Sequence, residues 1–297
     1  MLQSNKVKLG IAPLSWTNDD LPELGRENTF EQCISEMALA GYTGCEVGNK
    51  YPKDVKVLRK ALELRGIQVC NAWFSCFFTS KPSNYTYEKF IKHRDYLHAL
   101  GAKVIGVSEQ GNSIQGKIEV PVIQNKPTFT DDEWQNVTEG FEELAKLASE
   151  KGMTVGVHPH MGTGIQTMDE IDRLMSSTSK NVYLLFDTGH ALYSGDNPLE
   201  LIKKYADRVN HVHLKDVRED VLLRVESEKM SYLKSIYEGI FSIPGDGCIN
   251  FNPIFKVLED ADYSGWMVVE ADQDPRKANP LEYAIKSREF IADKTGL

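Results

Sequence analysis

Excess positive charge, paired cysteines and long apolar runs are all missing from this sequence of 297 residues. The net charge is −9 and the pI about 5.4. That balance argues against nucleic acid or an anionic membrane surface as partner and leaves room for a small substrate held in one pocket. The five cysteines (Cys33, Cys45, Cys70, Cys76 and Cys248) are odd in number and include no CxxC pair. Neither a disulfide framework nor a thiolate metal cage is therefore expected, and a reducing, cytoplasmic compartment is. No window of about 18 apolar residues occurs that could span a membrane. The opening residues, MLQSNKVKLGIAPLSW, hold no apolar segment of signal-peptide length. Glycine-rich phosphate loops are missing too, since neither GxGxxG nor a Walker A string is present. Hydrophobic residues make up 41% of the chain and charged residues 26%, ordinary globular usage that excludes disordered and collagen-like readings.

What is present is a repeat of short apolar runs. They are Val7–Ala12, Gly44–Val47, Ile67–Ala72, Lys103–Ser108, Met153–His158, Val182–Asp187, Val209–Leu214 and Trp266–Glu270. Most are rich in Val and Ile and short, as buried parallel strands are. Helical stretches lie between most of them. Thr29 with Gln32, Thr130 with Glu133 and Thr167 with Glu170 fit capping boxes, and Gly41, Gly66, Gly101 and Gly152 stand where helices end. Eight βα repeats predict an α/β TIM barrel, one catalytic domain over residues 1–297. A doubly wound open sheet is the alternative. Its glycine-rich first turn is replaced here by Ala12-Pro13-Leu14-Ser15-Trp16. Two connections are long, 110–129 after the fourth run and 217–247 after the seventh. Both are expected at the C-terminal mouth as lids or substrate walls.

Strand side chains alternate with a period of two. That puts His158 with His160, Asp187 with Leu185, His211 with His213 and Lys215, and Glu270 with Asp272, always at the C-terminal end of a run. Glu46, Asn71 and Glu109 end or follow earlier runs. Barrel enzymes keep their chemistry at this mouth. His158, Asp187, His213 and Glu270 form a candidate metal set of two imidazoles and two carboxylates without sulfur, suited to Mn²⁺, Co²⁺, Fe²⁺, Mg²⁺ or Zn²⁺.

Asp187-Thr188-Gly189-His190, Val212-His213-Leu214-Lys215-Asp216 and Val269-Glu270 resemble the strand ends of the xylose isomerase-like TIM barrels. The strings GIAPLSWTNDDLPELG (10–25), NAWFS (71–75), HMGTGIQT (160–167), HVHLKDVR (211–218), PGDG (244–247) and WMVVEADQDP (266–275) resemble, within that superfamily, the inosose dehydratases of myo-inositol catabolism. The resemblance implies removal of water from 2-keto-myo-inositol, a small cyclitol ketone, to give a trihydroxycyclohexane-1,2-dione. It also implies a requirement for Mn²⁺ or Co²⁺ and an association with glutathione. Superfamily isomerases and epimerases usually place a glutamate where His158 stands. The less negative shell here favours one-sided proton removal and elimination, and the register leaves His160 open as the ligand in its place.

Under that reading the candidate bases are His160, Glu109 and Glu270. His190 is a candidate acid or substrate-oxygen ligand, and Lys215 a neutraliser of developing enolate charge. Asp216 is expected to support a metal-binding histidine. Trp16, Glu46, Asn71 and Trp73 are expected to contact the substrate. The competing readings are a metal-dependent ketose epimerase on the same barrel, an endonuclease IV-type nuclease, which the charge of −9 opposes, and a non-catalytic sugar-binding barrel. A homo-oligomer through the outer helices is compatible with the sequence.

Overall fold

A computed structural model describes residues 2–297. Its strands in chain order are β1 (Val7–Ile11), β2 (Gly44–Glu46), β3 (Gln68–Asn71), β4 (Trp73–Cys76), β5 (Val104–Glu109), β6 (Thr154–Val157), β7 (Val182–Asp187), β8 (Val209–Leu214), β9 (Asp216–Val217), β10 (Phe241–Ser242) and β11 (Gly265–Val269). Nine of them form one parallel sheet in the order β3-β2-β1-β11-β8-β7-β6-β5-β4. The two ends of that sheet, β3 and β4, are halves of a single run broken at Ala72. Chain continuity therefore closes the sheet into the expected barrel. Eight helices, among them Phe30–Leu39, Asp131–Ser149 and Pro280–Thr295, follow the barrel strands on the outside.

The break at Ala72 has a local cause. The ladder changes partner there: β3 pairs with β2, and β4 pairs with β5. Asn71 bridges the gap, donating from Nδ2 to Glu46 Oε1 at 2.9 Å while its Oδ1 accepts from the Gly106 amide at 2.6 Å. A Cβ at position 106 would lie 2.8 Å from the Asn71 Nδ2, so a larger residue there would displace this bridge. On the other side of the seam, His93 Nε2 lies 3.3 Å from the carbonyl of Ala72. Period counting reads this stretch as one strand ending at Ala72, whereas the structure extends the run to Cys76.

The helix signals behave as their chemistry requires. Thr130 and Glu133 make a complete capping box. Thr29 accepts from the Gln32 amide, but the Gln32 side chain turns to Glu36 instead of closing the box. Glu170 caps the Thr167 amide at 2.9 Å. Gly41, Gly66, Gly101 and Gly152 all take positive φ.

The two long connections differ in kind. Residues 110–129 contain no helix or strand. Residues 217–247 fold into the helices Glu219–Ser227 and Tyr232–Glu238 inside an antiparallel β9–β10 pair. Val122 donates to the Met230 carbonyl, joining the two connections. Together with Leu21 and Leu24 they build a second apolar core, apart from the one between strands and helices, around Ile114, Met161, Val225, Leu233, Ile236 and Phe241. Burial of these side chains turns the loops into a fixed cap beside the barrel mouth. Among the described residues no helix is long and apolar enough to cross a membrane.

Candidate active site and metal centre

β6, β7, β8 and β11 end side by side at one mouth, because they are consecutive neighbours in the sheet. Strand alternation aims the last inward residue of each at a common point. His158 Nε2 lies 3.3 Å from Asp187 Oδ2. His213 Nδ1 lies 3.4 Å from the same oxygen and 3.0 Å from Glu270 Oε2. All four residues are buried, and His213 Nδ1 has no hydrogen-bond partner. Two imidazole nitrogens and two carboxylates thus converge, and the buried His213 Nδ1 faces two carboxylate oxygens without an aligned hydrogen bond to either. Donor chemistry and geometry both fit a divalent cation. His158 stands in this cluster and His160 does not. His160 Nδ1 is taken by the carbonyl of Met161 at 2.9 Å.

Behind this cluster sits Glu46. Its Oε1 accepts from His213 Nε2, His211 Nε2 and Asn71 Nδ2, each at 2.9 Å. A hydrogen on His213 Nε2 leaves the Nδ1 lone pair free, so Glu46 fixes the tautomer that a metal ligand needs. Asp187 is also held from behind, with Oδ1 accepting from the His190 amide at 2.8 Å. Burial alone would raise the Asp187 carboxyl. Lys215 and the neighbouring imidazoles outweigh it and hold the group well below the usual range.

A cavity of about 260 Å³ opens above the cluster, lined by His158, His213, Glu270, Asp272, Trp73 and His160, with Glu46 and Asn71 at its base. His160 presents a neutral face to it. Since Nδ1 donates to a carbonyl, Nε2 carries a lone pair, 3.4 Å from the hydroxyl of Tyr232. Burial first, then the nearby His158 and Lys215, push His160 well below 6.5. It is therefore an unprotonated acceptor at neutral pH. Trp73 packs edge-on against both His158 and His160, with ring centroids 5.6 and 5.4 Å apart.

Other expected residues lie elsewhere. Glu109 accepts from the amides of Phe78, Thr79 and Gly111 and from the Thr79 hydroxyl. Its carboxylate ties down the turn after β4 and does not line the cavity, so it is not positioned as a base. Trp16 is wholly buried, donating to Glu36 at 2.6 Å, and belongs to the core instead of the pocket wall. Asp216 does not support a histidine. It receives the amides of Val217, Gly245, Gly247 and Ile249 and so buckles the PGDG turn to the start of the cap. Glu46 lines the cavity base, but its Oε1 is spent on the histidines. Asn71 likewise has both amide atoms committed. Lys215 Nζ is fully buried, 2.5 Å from Glu270 Oε1 and 3.0 Å from Asp272 Oδ2. His190 lies behind His160, with ring centroids 4.0 Å apart, and its Nε2 is 3.3 Å from Lys215 Nζ. Neither Lys215 nor His190 lines the cavity.

The cavity adds residues that the motifs did not single out. Asp19, Asp20, Gln115 and Tyr232 line it. Both aspartates sit inside the WTNDD string, the one signal available for them. Gln115 and Tyr232 come from the two long connections, where no period indexes a side chain to a face.

The family model of the xylose isomerase-like TIM barrel matches residues 34–294. Curated relatives cover the whole chain and are covered whole by it. The inosose dehydratase of Clostridium beijerinckii is 60% identical over 297 residues, and that of Geobacillus thermodenitrificans 59% over 298. Among solved structures, the IOLI protein with a bound zinc atom superposes with a TM-score of 0.72 at 15% identity, covering 97% of this chain and 98% of its own. A D-allulose 3-epimerase from Methylomonas sp. does so with a TM-score of 0.69 at 20% identity, over 97% of each chain. These distant likenesses establish the fold.

Proposed function

We propose, for a chain that belongs to the inosose dehydratase family of xylose isomerase-like TIM barrels, that the floor and the wall of its cavity divide the work of removing water from inosose. The chain is a hydro-lyase. The carrying observation is the convergence of His158, Asp187, His213 and Glu270 beside His160, whose Nε2 lone pair meets the Tyr232 hydroxyl at 3.4 Å. The four converging residues would hold a divalent ion. Two imidazoles and two carboxylates without thiolate suit Mn²⁺ and Co²⁺, the working ions of this reading. Bound there, such an ion would supply Lewis acidity toward the substrate ketone.

The remaining steps fall to the chain's own groups. His160 Nε2 accepts the α-proton. The electrons of that C–H bond first delocalise onto the ketone as an enolate, and then form the ring C=C as the β C–O bond breaks. Tyr232 O–H stands on the same side of the cavity, and burial, with Asp272 and Asp20 nearby, holds its phenol well above 10. It protonates the departing hydroxyl, which leaves as water. The imidazolium of His160 returns its proton to Tyr232 across their contact. The enol product tautomerises to the 1,2-dione. Trp73 covers the imidazoles from the cavity side. The five unpaired cysteines support placing this reaction in a reducing cytoplasm, within myo-inositol catabolism.

The test separates the two roles. In the ion-loaded protein, His160→Gln lowers turnover by about 100-fold or more and abolishes exchange of the substrate α-proton in D₂O. Tyr232→Phe lowers elimination by about 10- to 100-fold and leaves the exchange running. Turnover within threefold of wild type in His160→Gln would overturn the assignment of the base. Exchange without net dehydration in the wild type would move the reading to an epimerase.

A further inference from the structure

Gln115 is held unusually firmly for a residue in a connection without helix or strand. The preceding Ile114 is buried in the cap, and its amide donates to the Gly162 carbonyl at 2.8 Å. Gly162 has φ +80, and a Cβ there would lie 3.0 Å from the Gln115 nitrogen. The turn that follows His160 and the backbone of Gln115 are thus in direct contact. The Gln115 amide is also oriented. Nε2 donates to Asp20 Oδ2 at 2.6 Å, and a carboxylate only accepts, so nitrogen and not oxygen faces Asp20. Asp20 is itself placed from the floor: its amide donates to Asn18 Oδ1 at 2.9 Å, and Asn18 Nδ2 donates to Asp272 Oδ1 at 3.1 Å.

With its nitrogen fixed, the amide leaves Oε1 buried and without a partner. Buried carbonyl oxygens are seldom left so. Gln115 and Asp20 line the same cavity as His158, His213 and Glu270. They approach it from two different connections, 95 residues apart in sequence.

We propose that Gln115 Oε1 accepts a hydrogen bond from a ring hydroxyl of the substrate, and that Asp20 holds the amide in the orientation this requires. The proposal rests on the cyclitol dehydratase reading of the site and adds a specificity-determining pair to it. The chemistry recognised is an uncharged, polyhydroxylated ring that presents an O–H donor toward the mouth while its ketone faces the metal-competent floor.

Steady-state kinetics of the ion-loaded protein test it. Gln115→Met keeps the shape and removes the acceptor. KM for inosose rises about tenfold, the worth of one hydrogen bond, with kcat within threefold. Among monodeoxy inososes, one loses about tenfold in kcat/KM with the wild type and loses nothing further with Gln115→Met. Gln115→Glu sets two carboxylates against each other and is impaired. Adding Asp20→Asn to it restores the bridge with donor and acceptor exchanged, and KM returns to within threefold of wild type. The proposal is overturned if wild type and Gln115→Met discriminate every monodeoxy analogue alike, or if the double variant is no better than Gln115→Glu. Wild-type turnover of inosose in the same assay distinguishes failure of the pair from failure of the dehydratase reading.

Discussion

The floor of the cavity and its wall are built by different means. Floor residues (His158, Asp187, His213, Glu270 and, behind them, Glu46) sit at the ends of neighbouring barrel strands. Their positions follow from the ladder and the pleat. Wall residues (Tyr232, Gln115, Asp20) sit on connections whose shape depends on a separate apolar core and on single anchors such as Asp216 and Gly162. The floor holds groups fit to bind a cation. In the proposed mechanism the wall supplies groups that move a proton or choose a substrate. A barrel can therefore keep one floor and change its reaction by rebuilding its loops.

Substitutions break this division in a graded way. Asp187→Ala or His213→Ala strikes the floor directly. Each removes an ion-binding group from a buried set, so ion binding, measured by titration calorimetry on the stripped protein, and turnover both fall by about 10³-fold or more. Retained ion binding in either variant would show that the floor is not the ion site. Glu46→Gln acts one layer deeper. It keeps the shape but weakens the hold on the His213 tautomer. Ion affinity falls by about 10- to 100-fold, and the melting temperature of the ion-free protein changes little beside that. The wall variants described above are the converse, with kinetics altered and ion affinity unchanged.

The smallest effect belongs to the barrel seam, outside both regions. Burial first, opposed by its bond to the Ala72 carbonyl, pulls His93 down to about 4. Below the ordinary histidine value of about 6.5 the unfolded chain takes up a proton that the folded chain refuses. Stability from this group is therefore complete above pH 6.5 and is lost as pH falls toward 4, by up to about 3 kcal/mol. His93→Gln flattens that part of the denaturation-against-pH profile and leaves turnover at pH 7.5 unchanged.

The same division explains what was legible in the sequence. Strand alternation, with position at the C-terminal end of each run, picked out His158, Asp187, His213 and Glu270, because a period of two fixes which side chains face inward, but it left His160 open beside His158. It misplaced Glu109, since an inward-facing carboxylate at a strand end also serves to cap the next turn, and only the positions of Phe78, Thr79 and Gly111 reveal which task it has. Asp216 failed for a related reason: its four amide donors come from residues one and about thirty positions onward. Trp16 was misread because aromatic bulk fits a core and a pocket wall equally well. The half of the strand beyond Ala72 was missed, since the apolar run was ended at Ala72 and Trp73–Cys76 was not read as strand. Tyr232 and Gln115 lay in segments whose folding is set by long-range packing, which periodicity does not encode.

The most direct measurement is a continuous ultraviolet assay of metal-stripped protein with 2-keto-myo-inositol, to which Mn²⁺ or Co²⁺ is then added. The dione product enolises to a conjugated chromophore. The division of floor and wall predicts no change in absorbance before the ion is added and a steady rise after it, absent in His213→Ala at every ion concentration. A rise in the stripped protein, or an undiminished rise in His213→Ala, would contradict it.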